Sequence, residues 1–198
     1  VDGAPVAEPL PKCGPDEILV RVDAVSLCSS DAKMIRLGDR YPLFYGRDLR
    51  QEPTRLGHEV ALTVVEVGTR WQHHFSRGQR LGLQPDVFNG GRRTCFGVLI
   101  PGGLAQYVAL GPDVLDGDAG SYVFPVPDSL GYADVALLEP WACVDAARPT
   151  RNGHAVRRKP HVPVPCCARP EAANASTLTT SSAATRARMC SSTKAASA

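Results

Sequence analysis

Gly57-His58-Glu59-Val60-Ala61-Leu62-Thr63-Val64-Val65-Glu66-Val67-Gly68 is the stretch that decides the fold. From Val60 to Val67 it is rich in β-branched and aliphatic residues, which suit a pleated, half-buried surface. Gly68 closes it as a strand. Upstream, Ile18-Leu19-Val20-Arg21-Val22-Asp23-Ala24-Val25 places Ile18, Val20, Val22 and Ala24 on one face, the pattern of a second strand. Downstream, 81–87 and 103–110 read as short strands, and Tyr122-Val123-Phe124 leads into the extended Pro125-Val126-Pro127. Short strands separated by Gly and Pro turns predict a mainly β chain with short helices, closed as a compact β-barrel.

The connections are read from their punctuation. Residues 6–15 are proline-rich and extended, and 26–31 are a turn. Residues 32–37 form one or two helical turns ending at Gly38. Residues 41–55 carry Pro42, Gly46, Pro53 and many charges, and are expected to be a surface loop. Asp128 or Ser129 is expected to cap a helix over about 132–138. Pro140 suits the first turn of a second helix, where its missing N–H costs nothing. Trp141, Val144 and Ala147 would then face the buried side.

Composition divides the chain. Residues 1–148 hold 14 basic and 19 acidic residues, whereas 149–198 hold 8 basic and one acidic, Glu171. The last 50 residues contain no Phe, Tyr, Trp or Ile. Such a segment cannot bury enough apolar surface to offset its conformational entropy. The expected organisation is one domain over 1–147 and a basic, low-complexity, disordered tail over 148–198. The tail lacks interleaved aromatics, so no nucleic-acid partner is expected. Its Pro-Arg-Ala-Ser-Thr bias resembles a shifted reading frame of GC-rich DNA. With Val1 in place of an initiator Met, the chain reads as part of a longer protein. No apolar run approaches the roughly 20 residues that cross a bilayer. No signal peptide opens it. Seven irregularly spaced cysteines fit no disulfide framework and point to a reducing, cytoplasmic setting.

Three places carry residues suited to a metal: Cys28-Ser29-Ser30-Asp31, Gly57-His58-Glu59 and Glu139-Pro140. Zinc takes thiolate, imidazole and carboxylate ligands, and a catalytic site keeps one position open. Singly, each has a plain structural reading. Cys28 could be a small buried hydrophobe, His58-Glu59 a surface or capping pair, and Glu139 a helix-start carboxylate favoured by the macrodipole. His73-His74 reads as a solvated loop. The adjacent Cys166-Cys167 is poorly suited to chelating one ion.

Together and in order, these motifs resemble the zinc-dependent medium-chain dehydrogenase/reductase family, its sorbitol dehydrogenase-like branch in particular. Gly14-Pro15-Asp16-Glu17-Ile18 through Val22, Gly78-Gln79-Arg80-Leu81, Gly102-Gly103-Leu104-Ala105-Gln106-Tyr107-Val108 and Phe124-Pro125-Val126-Pro127-Asp128 agree with family landmarks. The resemblance covers about residues 5–147 and implies a GroES-like catalytic barrel. It implies Cys28 and His58 as zinc ligands and Glu59 as a ligand or one that exchanges with water. Glu139 would be a carboxylate near the metal, Ser30 the hydroxyl that relays the substrate proton, and Asp31 a group orienting the site. The implied activity is oxidation of an alcohol or polyol with one catalytic zinc and NAD or NADP, in an enzyme whose complete relatives are homo-oligomers.

There are departures. Leu62 stands where the family signature has Gly, and Trp71 where a small residue is usual. The lobe over 89–98 offers only Cys95, so no structural zinc is expected. No Gly-x-Gly-x-x-Gly follows Ala147, so the Rossmann half that would hold NAD(P) is absent from this sequence. The alternative reading is therefore a truncated, non-catalytic barrel that binds zinc only. Without its partner half, such a barrel is expected to expose an apolar face near Trp141 and Val144.

Overall fold

Two nine-residue strands run antiparallel down the centre of the molecule: β1 (Ile18–Ser26) and β2 (Glu59–Val67). The computed structural model, which describes residues 5–147, adds β3 (Arg80–Leu83), β6 (Tyr107–Leu110) and β7 (Val123–Pro125) to form a five-stranded sheet. The strand order is β6-β1-β2-β3-β7, and every ladder is antiparallel. A two-residue hairpin, β4 (Phe88–Asn89) with β5 (Arg92–Arg93), stands apart. The main core collects Ile18, Val20, Leu62, Val64, Leu81, Phe96 and Leu110, all essentially inaccessible to solvent. The mainly β architecture read from the periodicity is the one observed.

The expected face of β1 is corrected at one point. Ile18, Val20 and Val22 share the core face, but Val25 rejoins them instead of Ala24. The register with β2 slips between Val22 and Ala24, and such a bulge moves every later side chain to the opposite face. Ala24 thus packs with Ala61, Val135 and Ala136 on the other side of the sheet.

Two strands end earlier than expected. β3 stops at Leu83, because Pro85 has no N–H to extend a ladder. The carbonyls of Pro85 and Val87 instead accept from Phe96 and Thr94. The expected strand over 103–110 begins only at Tyr107, since Gly102, Gly103 and Leu104 donate to Arg55, Gly57 and Leu56.

The helices also differ in their starts. α1 spans Ser29–Leu37, so the second half of the expected turn at 26–31 is already helical. Asp31, third in the helix, accepts the Cys28 N–H at 2.9 Å and fixes the entry. Gly38, at φ 53°, ends it as read. A short α2 spans Pro112–Leu115. α3 (Tyr132–Ala136) is capped by Gly131, not by Asp128 or Ser129, and the Asp134 carboxylate accepts the Gly131 N–H at 3.1 Å.

The loop at 41–55 is more than surface. Phe44 is fully buried in a second small core with Met34, Cys95 and Val98. Tyr41, Leu43 and Leu49 pack against the same cluster, but these apolar residues follow no regular period, so the core escapes pattern reading.

α4 (Leu138–Ala147) carries Pro140 in its first turn, as expected, but buries no residue. Trp141 is 68% and Val144 59% exposed, which corrects the expectation of a buried side. Leu138 packs against Ala61, Val135 and Ala136, and Glu139, Pro140, Ala142 and Ala146 are half-buried. Among the described residues no helix is long and apolar enough to cross a membrane. The tail reading for 148–198 lies outside the described residues.

Candidate metal centre

The site begins with a constrained turn. Gly57 sits at φ 87°, in the left-handed region, and delivers His58 and Glu59 to the start of β2. The segment 102–104 clamps this turn: Gly103 N–H donates to Gly57 O at 2.7 Å and Leu104 N–H to Leu56 O at 2.9 Å. Gly102 lies so close that a Cβ there would be 2.5 Å from both Leu56 O and Gly57 O. Opposite this turn, α1 presents Cys28 at its N-cap and Ser30 and Asp31 in its first turn.

Cys28, His58 and Glu59 converge, each offering a ligand atom within 4.8 Å of the others. Cys28 and His58 stand 30 positions apart in the chain, just before α1 and β2, so only the tertiary fold joins them. His58 and Glu59 are buried, at 9% and 4% exposure, and Asp31 is buried at 3%. His58 Nδ1 is a buried side-chain nitrogen without a hydrogen-bond partner. Burying an imidazole and a carboxylate beside a thiol is costly unless a cation compensates them. Sulfur, imidazole nitrogen and carboxylate oxygen at this separation form the donor set of a borderline divalent ion, zinc above all. The residues fit such an ion.

Asp31 and Ser30 surround the imidazole. Asp31 Oδ1 lies 3.4 Å from His58 Nδ1, within ion-pair range but without hydrogen-bond alignment, so Nδ1 has no hydrogen-bond partner. Asp31 also accepts the Gly57 N–H at 3.4 Å and thereby ties α1 to the His58 turn. Ser30 Oγ lies 3.3 Å from His58 Nε2.

Glu139 is not in the converging trio. Its Oε1 accepts from Cys143 Sγ at 3.1 Å, one helical turn along α4. Burial and this carboxylate push the Cys143 thiol up to about 12, with Asp86 and Cys28 adding to the rise. Cys143 thus lies within electrostatic reach of Cys28. Sequence reading passed over Cys143, although its i+4 spacing from Glu139 on a helix would have paired them.

A family profile described as the alcohol dehydrogenase GroES-like domain matches residues 14–115. The chain belongs to the zinc-type medium-chain dehydrogenase/reductase family. The sorbitol dehydrogenase of Bacillus subtilis (strain 168) is 30% identical over 148 residues, covering 68% of this chain and 38% of that protein. L-sorbose 1-phosphate reductase of Klebsiella pneumoniae is 32% identical over 140 residues, covering 70% of this chain and 33% of that protein. The crystal structure of 2R,3R-butanediol dehydrogenase from Bacillus subtilis superposes with a TM-score of 0.54 at 25% identity, covering 73% of this chain and 42% of that one. The chain therefore spans well under half the length of these relatives.

Within this GroES-like domain the two departures from the family signature are buried packing positions. Leu62 is fully buried in the main core on β2, paired with Leu81. Trp71 is buried at the end of a 3-10 turn (Thr69–Trp71), and its Nε1 donates to Asp16 O at 2.8 Å. Both belong to the main core and neither is among the converging ligand residues. Cys95 is likewise buried in the second small core beside Phe44 and Met34.

Proposed function

We propose that this chain is the zinc-binding catalytic domain of an alcohol or polyol dehydrogenase that uses NAD or NADP as hydride acceptor. The observation that carries this reading is the convergence of Cys28, His58 and Glu59 within 4.8 Å, with His58 and Glu59 buried. Cys28 and His58 would hold the ion, with Glu59 as ligand or as a carboxylate exchanging with water. Bound zinc would polarise the substrate oxygen as a Lewis acid.

The remaining work falls to the chain's own groups. Ser30 Oγ, 3.3 Å from the His58 ring, stands where it can take the hydroxyl proton of a substrate held beside that ring. Asp31 faces the other ring nitrogen and the Gly57 N–H, so it fixes the imidazole orientation. Glu139 adds a carboxylate on α4, in electrostatic contact with the site through Cys143. Cofactor binding would require a nucleotide-binding half of the kind its longer relatives carry. Sorbitol dehydrogenase and butanediol dehydrogenase among those relatives favour a polyol or diol substrate.

Cobalt(II) substitution tests this reading. The expected result is a thiolate-to-cobalt charge-transfer band that is lost in Cys28→Ser and changes when butan-2-ol is added. A spectrum of octahedral, sulfur-free cobalt would overturn the reading.

A further inference from the structure

The second small core draws on both chain segments that supply metal ligands. Met34 comes from α1, whose N-cap is Cys28. Leu56, two residues before His58, packs against the same core. Cys95 and Val98 come from a turn over residues 95–100, and this turn lies directly on His58. A Cβ on Gly97 would stand 3.1 Å from His58 Cβ and 3.1 Å from both the carbonyl carbon and oxygen of Gly57. Phe44, 1% exposed, is the largest fully buried side chain of this core.

The stretch that carries Phe44 is tied down on both sides. The Tyr45 hydroxyl donates to Arg93 O at 3.1 Å, Arg47 Nη1 to Leu99 O at 3.3 Å and Thr54 Oγ1 to Val98 O at 2.5 Å. Gly102 N–H donates to Arg55 O at 2.8 Å. Toward α1, Leu49 N–H donates to Asp39 Oδ1 at 3.0 Å, in the 3-10 turn (Gly38–Arg40) that follows the helix. Residues 41–55 therefore bridge the end of the helix that begins at Cys28 and the turn that backs His58.

The backbone is most constrained at the same place. Tyr45 (φ 53°) and Cys95 (φ 46°) are the two non-glycine residues in the left-handed region among those described. Tyr45 follows Phe44 directly, and Cys95 shares its core. Such conformations persist only where surrounding contacts impose them. The 95–100 turn is also closed on itself: Cys95 O accepts from the Val98 and Ile100 N–H groups, each at 3.2 Å, and Gly97 N–H donates to Ile100 O at 2.8 Å. It is a stiff surface for Phe44 to press on.

We infer that Phe44 is a positioning residue for the metal centre: packed with α1 and with the 95–100 turn, it fixes the separation of Cys28 from His58. Close-packed interiors transmit strain. Removing the ring would leave a cavity into which its neighbours relax only in part. Met34 moves with the helix that begins at Cys28, and Gly97 moves against His58, so the relaxation shifts the sulfur relative to the imidazole. Ligand atoms that already stand within 4.8 Å of one another leave little room for such a shift, because zinc holds its ligands at about 2.0–2.3 Å. This inference rests on the proposed zinc reading and adds a residue that itself binds no ion.

The test loads the full chain with saturating cobalt(II) and compares the ligand-field bands of wild type, Phe44→Leu, Phe44→Ala and Leu115→Ala. In a folded, fully loaded protein the band positions report ligand geometry and not stability. Leu115→Ala opens a cavity in the main core instead and serves as the control. Phe44→Ala is expected to displace the bands and to weaken zinc binding about tenfold or more, the scale of losing a group that orients a metal ligand. Phe44→Leu is expected to displace them in the same direction by less, and it decides the matter if Phe44→Ala does not fold. Leu115→Ala is expected to keep the wild-type bands. Wild-type bands in Phe44→Leu and in folded Phe44→Ala overturn the inference, as does an equal displacement in Leu115→Ala. If the wild-type chain takes up no cobalt, the zinc reading falls first and this one with it.

Discussion

Oδ1 of Asp31 lies 3.4 Å from Nδ1 of His58, and the same oxygen reaches the Gly57 N–H. One buried carboxylate therefore spans the two chain segments that supply the sulfur and the imidazole. Its other oxygen holds the Cys28 N–H, so the groups on both sides of the trio share one anchor.

Asp31→Asn should weaken zinc binding about 10- to 100-fold, the usual cost of removing a partner that orients a metal ligand. Competition with a chromophoric chelator measures it. An affinity within twofold of wild type would show that Asp31 only caps α1.

Gly102→Ala should destabilise the domain by about 1–3 kcal/mol, the usual cost of forcing a methyl group into a packed site. The new Cβ would meet two carbonyl oxygens of the Leu56–Gly57 turn at 2.5 Å, and neither can move without displacing His58. Urea denaturation should show the loss, together with reduced zinc retention. A variant as stable and as zinc-replete as wild type would show that the 102–104 clamp does not position the turn.

The sequence displayed most of this arrangement, though unevenly. Alternation marked β1, whose Ile18, Val20 and Val22 face the main core, and β-branched composition marked β2, which is buried on both faces. Neither showed the bulge after Val22, because a one-residue slip leaves composition unchanged. Cys28, His58 and Glu59 were legible as residue types at element edges. Their meeting was legible only through the family pattern, since the 29 residues between Cys28 and His58 carry no geometric information. The Tyr45 and Cys95 conformations left no trace, because neither Tyr nor Cys favours a positive φ. The exposure of Trp141 is opposite to its hydrophobicity, the kind of conflict that marks a surface meant to be covered.

Stability should fall at alkaline pH because of Cys95. Burial, with Asp86 adding, pushes its thiol from 9.0 up to about 12. Below pH 9 the thiol is protonated in both folded and unfolded chains and the linkage is silent. Between pH 9 and about 12 the unfolded chain ionises while the folded one does not, so stability declines by up to about 1.4 kcal/mol per pH unit. Comparing denaturation of wild type and Cys95→Ala across this range isolates the slope. Equal slopes would contradict the assignment.

Trp141→Ser should reduce self-association with little change in melting temperature, because Trp141 is 68% exposed and α4 buries no residue. Light scattering and calorimetry on the same samples check both halves. A melting temperature lowered by several degrees would show that Trp141 packs within the domain.

X-ray absorption at the zinc edge tests the central claim most directly. The account predicts about one ion per chain with a single sulfur at about 2.3 Å and nitrogen and oxygen neighbours at about 2.0–2.2 Å, the sulfur shell vanishing in Cys28→Ala. A first shell of nitrogen and oxygen alone in the wild-type chain, or a folded chain that retains no zinc, would contradict it.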